Sequence, residues 1–574
     1  MKKITAIILS FMLVLSTAPY VYAEDDVELI ASWDFDTIYD GNIIKDLTGN
    51  GNDLVIQDPD YVVVDGYSGN TLDFNGGTSA YDNSKHLVIS SDIIASQING
   101  ASAVTVTAAV KKEVKGSGTN FTMFAFNAGS NSIMMYAQAF KVATNARSDY
   151  NSASVSTSAD LAFPNIDDST SPDGWMQFAM VMDYANNNVK FYADGVLIGE
   201  EQSEAAPQKF ATAFANYKTD VNDITKGWFG VGGRHVLVDD FKLYRGALDE
   251  ETIKKSVPPA LEYDFELAEG GVIADRSING MDLSVSYAEE VEGTTGNTQR
   301  ISDIAYLPVC ANRGILYGAY QQSVSCWLRL ADGNLPSMNQ AVFAEGQYGA
   351  LTLELTSDGA VVFSGISREK EATRSLSTPP GVFAQGDNTW HHIYADFDYR
   401  EKTGRIFVNG NLVSEASLPF TNKYYDMPGL GSSNDYMDLS SGAALLVDSF
   451  RIYRRSLMDT EIMALAEEVP MVKANISAQD GKVVADCTVA NRTADDIAAG
   501  KMSLFMCAYE KDTNRMVYGT MKKMPALAKY RGVDGQLIPL DVHGNPEDYV
   551  YKIFTWHGLD AVASYQDEIV YTFD

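Results

Sequence analysis

The acidic side chains are the residues of this chain whose types and spacing could do chemistry. The stretch "VDDFKLYRGALDEETI" (238–253) sets Asp239 and Asp240 among strand formers, and "VDSFRIYRRSLMDTEI" (447–462) writes it again with Asp448 and Ser449. Strand side chains alternate, so a regular strand puts Leu237, Asp239, Phe241 and Leu243 on one face, and likewise Leu446, Asp448, Phe450 and Ile452. An unpaired carboxylate on an apolar face costs several kcal/mol. Asp239 and Asp448 are therefore expected at a wet strand end, against a cation, or against several backbone N–H groups. Asp34 and Asp36 share a face, and Asp264 and Glu266 repeat that arrangement. Asp46, Asn50 and Asp53 recur as Asp275, Asn279 and Asp282 in a Gly-rich turn. Hard cations want several oxygen ligands on a bent loop, so hard-cation binding is the chemistry this set could do. The ordinary alternative is that Asx residues simply build the turns.

Other chemistries find less support. His391 and His392 are neighbours on a strand, point to opposite faces and cannot chelate together. Met176 and Gln177 hold the same positions earlier in the chain, so packing or hydrogen bonding is their expected role. No G-x-S-x-G elbow, Walker loop or HExxH is present. Glycoside hydrolysis needs paired carboxylates about 5–10 Å apart, whereas "YEKDTNRMV" and "LDEETI" place theirs at turns or helix starts. Catalysis is disfavoured. Sugar binding needs aromatic platforms flanked by polar groups, because a pyranose ring has an apolar face fringed with hydroxyls. Loop-region aromatics are Tyr136, Phe140, Tyr150, Tyr217 and Trp228, then Tyr348, Tyr424, Tyr425 and Tyr436. Arg234 and His235 follow "GWFGVGG", where the later stretch has Ser432 and Ser433. Tyr136, Trp228, Arg234 and His235 are the ligand-binding candidates.

Positioning these residues falls to strands. Short alternating runs such as "VTVTAAVKK" (104–112) and "RIFVNGNLV" (405–413) are separated by Gly, Asn, Asp and Ser, and Asp194-Gly195 and Asn409-Gly410 are hairpin-turn dipeptides. Five stretches recur in the same order. "WDFDTIYDGNIIKDLTGNGNDL" (33–54) matches "YDFELAEGGVIADRSINGMDL" (263–283), "VTAAVK" matches "VSCWLR", "WMQFAMVMDY" matches "WHHIYADFDY", and "KFYADGVLI" matches "RIFVNGNLV". The fifth is the acidic stretch above. A domain of about two hundred residues is thus duplicated. The organisation expected is a signal peptide (1–23), two copies (24–257 and 258–469) and a strand-rich tail (470–574) that suggests an immunoglobulin-like sandwich.

Lys2 and Lys3, the apolar run "ITAIILSFMLVLSTAP" and "VYA" before Glu24 read as an export signal, so a secreted protein without membrane insertion is expected. The net charge of −33 excludes nucleic acid as a partner and supplies carboxylates for cations. Cys310, Cys326, Cys487 and Cys507 form no metal spacing; buried thiols are at least as good a reading as disulfides.

Each copy resembles the bacterial laminin G-like domain of the concanavalin A-like lectin/glucanase fold. The resemblance is carried by "WDFD" with "DLTGNGNDL", "GNTLDFNGG" (69–77), "WHH" before a strand, the "YADG" and "FVNG" hairpins and the closing stretch. The second copy departs from it at "GNTQRISDIAYLPVC" (296–310). It implies an all-β chain with two jelly-roll sandwiches ahead of the tail. It also implies that the opening strand, the Gly-rich turn and the closing strand converge on a structural calcium. The ligands would be drawn from Asp34, Asp36, Asn50, Asp53 and Asp239, and from Asp264, Glu266, Asn279, Asp282 and Asp448. The related glucanases carry an E-x-D-x-x-E strand motif that is missing here. Non-catalytic binding of an extracellular poly- or oligosaccharide is the function expected. The alternatives are an adhesion module for host or cell-wall protein, or a glycan-cleaving hydrolase or lyase with an unfamiliar site.

Overall fold

The computed structural model describes residues 27–573 except 57–59, 74–86, 90–95, 99, 113–121, 129–130, 137–140, 147–152, 157–174, 184–185, 187, 203–227, 232–235, 269–270, 285–287, 295–296, 302–304, 307–318, 346–350, 366–373, 419–436, 440–444, 468–470, 480–481, 494, 558–565 and 567. The protein is all-β, built from antiparallel sheets, and divides into two compact units, Met1–Pro258 and Pro259–Asp574. No helix among the described residues is long and apolar enough to cross a membrane.

In the first unit a six-stranded sheet runs in the order Glu28–Trp33, Val236–Arg245, Ala103–Lys112, Met176–Asp183, Asn188–Ala193, Val196–Gln202. The opening strand therefore pairs with the closing one. A nine-stranded sheet accompanies it. In the second unit the same order recurs as Leu261–Ala268, Leu445–Tyr453, Gln321–Leu330, His391–Asp398, Thr403–Val408, Asn411–Ser417, with a six-stranded sheet beside it. Apolar side chains of both sheets, among them Val324, Leu328, Phe450, Phe343, Leu353 and Phe363, form one buried core. The hairpin dipeptides have the left-handed backbone such turns require, with Asp194 at φ 49° and Gly195 at 76°, and Asn409 at 49° and Gly410 at 77°.

The closing strand is not regular, and this corrects the expected alternation. Val238 pairs with Val110 and Asp239 with Ala109, but Lys242 pairs with Thr107, so Asp240 and Phe241 together oppose one residue. Asp240 sits at φ 47°, and Ser449 has the same angle at the corresponding place. One extra residue reverses the facing of every later side chain in the strand. Leu237 and Asp239 thus lie on the face of Lys111 and Ala109, while Phe241 and Leu243 lie on the core face with Val238. In the second copy Leu446 and Asp448 lie with Arg329 and Trp327, while Phe450 and Ile452 join the core. The aspartates share no face with the phenylalanines.

Residues beyond 470 form a third sandwich. Its three-stranded sheet is Val472–Gln479, Lys482–Ala490 and Gly532–Asp541; its four-stranded sheet orders Met516–Lys523, Ser503–Glu510, Tyr549–Trp556 and Ile569–Thr572. Val483, Ala485, Leu504, Met506, Ile538 and Ile553 fill its core. The Tyr551 hydroxyl donates to the Pro546 carbonyl at 3.0 Å. Cys326, Cys487 and Cys507 are buried thiols, and Cys310 lies outside the described residues.

Within the second unit this sandwich reaches into the second copy. Tyr530 is buried in that copy's core, 6.3 Å edge-on to His391. The Arg531 guanidinium donates to the carbonyls of Val382 (3.0 Å) and Gly381 (2.9 Å) and to the Asp387 carboxylate (3.2 Å).

Candidate functional site

The repeated carboxylates are held by a hairpin. In the first copy, strands Val62–Asp65 and Asn70–Asp73 are joined by a turn closed by Gly66 N–H on the Gly69 carbonyl at 2.9 Å. The amides of Tyr67 and Ser68 donate to Asp239 Oδ2 at 2.7 and 3.2 Å, and Asp240 N–H donates to Asp239 Oδ1 at 2.8 Å. Asn70 N–H donates to Asp36 Oδ1 at 2.7 Å, and the Thr71 hydroxyl to the Val238 carbonyl at 2.7 Å. A Cβ on Gly66 would stand 2.5 Å from Asp239 Oδ2 and 2.8 Å from the Asn70 carbonyl carbon, so only glycine lets the loop approach.

The second copy repeats this arrangement, with the Thr294 hydroxyl as the second donor where the first copy uses the Ser68 amide. Thr294 donates to Asp448 Oδ2 from its amide (2.7 Å) and its hydroxyl (2.6 Å), and Ser449 N–H donates to Asp448 Oδ1 at 2.7 Å. Asn297 N–H donates to Glu266 Oε1 at 2.8 Å, and the Thr298 hydroxyl to the Val447 carbonyl at 2.6 Å. Burial raises the Asp239 carboxyl to about 7 against the pull of its three N–H bonds, and raises Asp448 likewise.

The Gly-rich turn is organised by one buried aspartate per copy. Asp46 accepts from Ser32 N–H (3.1 Å), Thr48 N–H (3.0 Å) and Asn52 N–H (3.1 Å), and from the Thr48 hydroxyl. Asp275 accepts from Glu262, Ser277 and Met281 amides at 3.0, 2.9 and 2.9 Å. The named candidates around them serve the same turn. Asp53 accepts from Asp46 N–H and pairs with Lys45 at 2.6 Å; Asp282 accepts from Asp275 N–H. Asn50 and Asn279 donate through their side chains to the carbonyls of Ile30 and Ala260. Asp34 accepts from Asp36 N–H and Asp264 from Glu266 N–H across a left-handed Phe35 and Phe265, so neither pair shares a strand face.

These donor sets do not fit a calcium ion. Calcium takes oxygen ligands, yet the oxygens of Asp239, Asp448, Asp46 and Asp275 point at N–H and O–H groups whose positive ends would face the cation. Among the described residues no three His, Cys, Asp or Glu side chains are grouped to share a metal. The structure thus brings Asp36 and Asp239 together at one hairpin, and Glu266 and Asp448 at another, without making a cation cage.

Of the ligand candidates, Tyr136 closes strand Asn131–Tyr136 and Trp228 opens strand Trp228–Val231, both in the nine-stranded sheet. Arg234 and His235 lie outside the described residues, as do Phe140, Tyr150, Tyr217, Tyr348, Tyr424, Tyr425, Tyr436, Ser432 and Ser433. Sequence reasoning missed the hairpin as the carboxylates' partner, although "GYSGNT" (66–71) and "GTTGNT" (293–298) carried the signal.

A family model of the concanavalin A-like lectin/glucanases superfamily, laminin G type, matches residues 306–463. That stretch lies in the second copy. Among solved structures, the chain is similar to the botulinum neurotoxin serotype G binding domain, at 12% identity over 52% of this chain and 73% of that one, with a TM-score of 0.30. It is similar to domain 4 of AbnA, a GH43 extracellular arabinanase from Geobacillus stearothermophilus solved with arabinotriose, at 17% identity over 41% of this chain and all of that one, with a TM-score of 0.28. Superpositions so loose carry no functional weight. No curated protein matches the sequence.

Proposed function

We propose that this is a secreted, non-catalytic carbohydrate-binding protein in which two laminin G-like sandwiches present loops to an extracellular poly- or oligosaccharide. The observation that carries the reading is the lectin/glucanase superfamily match over 306–463. The first copy is included because its strand order and its carboxylate-bearing hairpin repeat those of the second. The tail is read as an immunoglobulin-like sandwich, supported by its three-plus-four strand arrangement and by Tyr551, whose hydroxyl reaches back five residues as in a tyrosine corner. Calcium is left out of the reading, because each closing-strand aspartate already accepts at least three hydrogen bonds.

A glycan array probed with the mature chain, with and without EDTA, tests both statements. Selective binding to a glycan class, unchanged by chelator, is expected. Silence on the array together with tight binding to a cell-wall or host protein would replace this reading with an adhesion module. A chelator-dependent loss of binding would restore the ion.

A further inference from the structure

The second copy's closing-strand sheet has an outer face, opposite its core, that carries Trp327, Arg329, His392 and Leu446. Trp327 lies directly across from His392 on one neighbouring strand and from Asp448 on the other. Trp327 and His392 are each 1% exposed. Trp327 Nε1, His392 Nδ1 and Arg329 Nε are buried and meet no hydrogen-bonding partner among the described residues. Buried polar atoms are nearly always paired, so three unmet polar atoms on one face call for a ligand rather than for packing.

The C-terminal sandwich brings charge to the same face. The Arg492 guanidinium lies 4.7 Å from the Trp327 ring centroid, while Arg329 lies 5.3 Å from that of Trp390. Lys473 Nζ donates to the carbonyls of Thr294 and Gly293, the hairpin residues beside Asp448. Three cations therefore gather in one seam of a chain whose net charge is −33. Glu292, Asp534 and Asp448 are the carboxylates that act on them. Burial lowers Lys473 and Arg492, and Arg492 and Arg329 depress Lys473 further.

Among the described residues the first copy builds nothing similar. Its residues at the places of Trp327, Arg329 and His392 are Ala109, Lys111 and Gln177, and Tyr67 stands where Thr294 does, hydrogen-bonded to Gln177. The arrangement belongs to the second copy and the sandwich laid on it.

We propose that this seam binds a small anion, of the size of chloride, acetate or sulfate, among Arg329, Arg492, Lys473 and the Trp327 N–H, and that the anion clamps the C-terminal sandwich to the second copy. The proposal is independent of any glycan. Guanidinium groups and an indole N–H are pure donors, and planar guanidinium forks suit chloride or an oxyanion.

The test is thermal unfolding of the full chain at constant ionic strength, with sodium gluconate replaced stepwise by chloride, acetate or sulfate. A saturable rise in midpoint on the order of 5 °C with at least one small anion is expected, and R329Q/R492Q should lose it. Equal midpoints in every salt, or an equal rise in the double variant, would overturn the proposal. Should the double variant fail to fold, calorimetric titration of the three anions into the wild-type chain in gluconate decides. One-site saturation by any of them supports the clamp, and no binding heat from all three overturns it.

Discussion

Two adjacent histidines show how much a single side chain owes to its face. His391 turns inward, its Nε2 3.0 Å from buried Asp387 and its ring edge-on to Phe383. His392 turns outward, its Nε2 2.9 Å from the Ser325 hydroxyl and its ring beside Trp327. Burial pushes His392 down to about 3, with Arg451 and Arg492 adding to the effect. In the unfolded chain it takes a proton near 6.5, so acid favours unfolding progressively from about pH 6.5 toward pH 3. His392→Gln, which copies Gln177, should remove that contribution. The urea-unfolding free energy lost between pH 7 and pH 4.5 should shrink by on the order of 2 kcal/mol; an unchanged loss would refute the assignment. The opposite facing of the two histidines was legible from strand alternation alone. The facing of Asp239 and Asp448 was not, because neither Asp240 nor Ser449 advertises a left-handed backbone as glycine would.

At the scale of the element, the hairpin and the closing strand are one device. The strand supplies a buried carboxylate and the hairpin supplies the amides that make burial tolerable. Gly66→Ala would drive a methyl to 2.5 Å from Asp239 Oδ2, and Gly293→Ala to 2.8 Å from Asp448 Oδ2. Backbone, not a flexible side-chain end, stands behind each, so a loss of about 2–3 kcal/mol per substitution is expected in denaturant unfolding. A change below about 0.5 kcal/mol would show that the clasp bears little of the fold's stability. The strands themselves were legible from alternation and from the Asp-Gly and Asn-Gly turns. The clasp was obscured because the second copy looks divergent from "GNTQRISDIAYLPVC" (296–310) onward, while most of its work is done by backbone amides that any residue supplies. Only the glycines, Thr71, Thr294 and Thr298 leave a trace in the side-chain code.

For the whole molecule, the consequential contacts come from single loop residues. Tyr530 enters the second copy's core and Arg531 fastens the loop with three bonds to that copy, so the C-terminal sandwich belongs to the same compact unit. Tyr530→Ala should cost about 3 kcal/mol and should lower the melting transition of the second copy as well as that of the tail. A shift confined to the tail would mean the plug is ornamental. No periodic pattern marks such a loop, so the sequence showed three strand-rich stretches but not which of them adhere. The pairing of first strand with last also has a bearing on the order of events during synthesis. Glu28 finds its partner in Arg245, and Leu261 in Ile452. Each copy must wait, with an unpaired edge, until nearly its whole length has left the ribosome. The second copy waits longer still for Tyr530. Such long-range closure is slow and leaves edges open to wrong partners, which makes the interval before the last strand arrives the chain's most vulnerable moment.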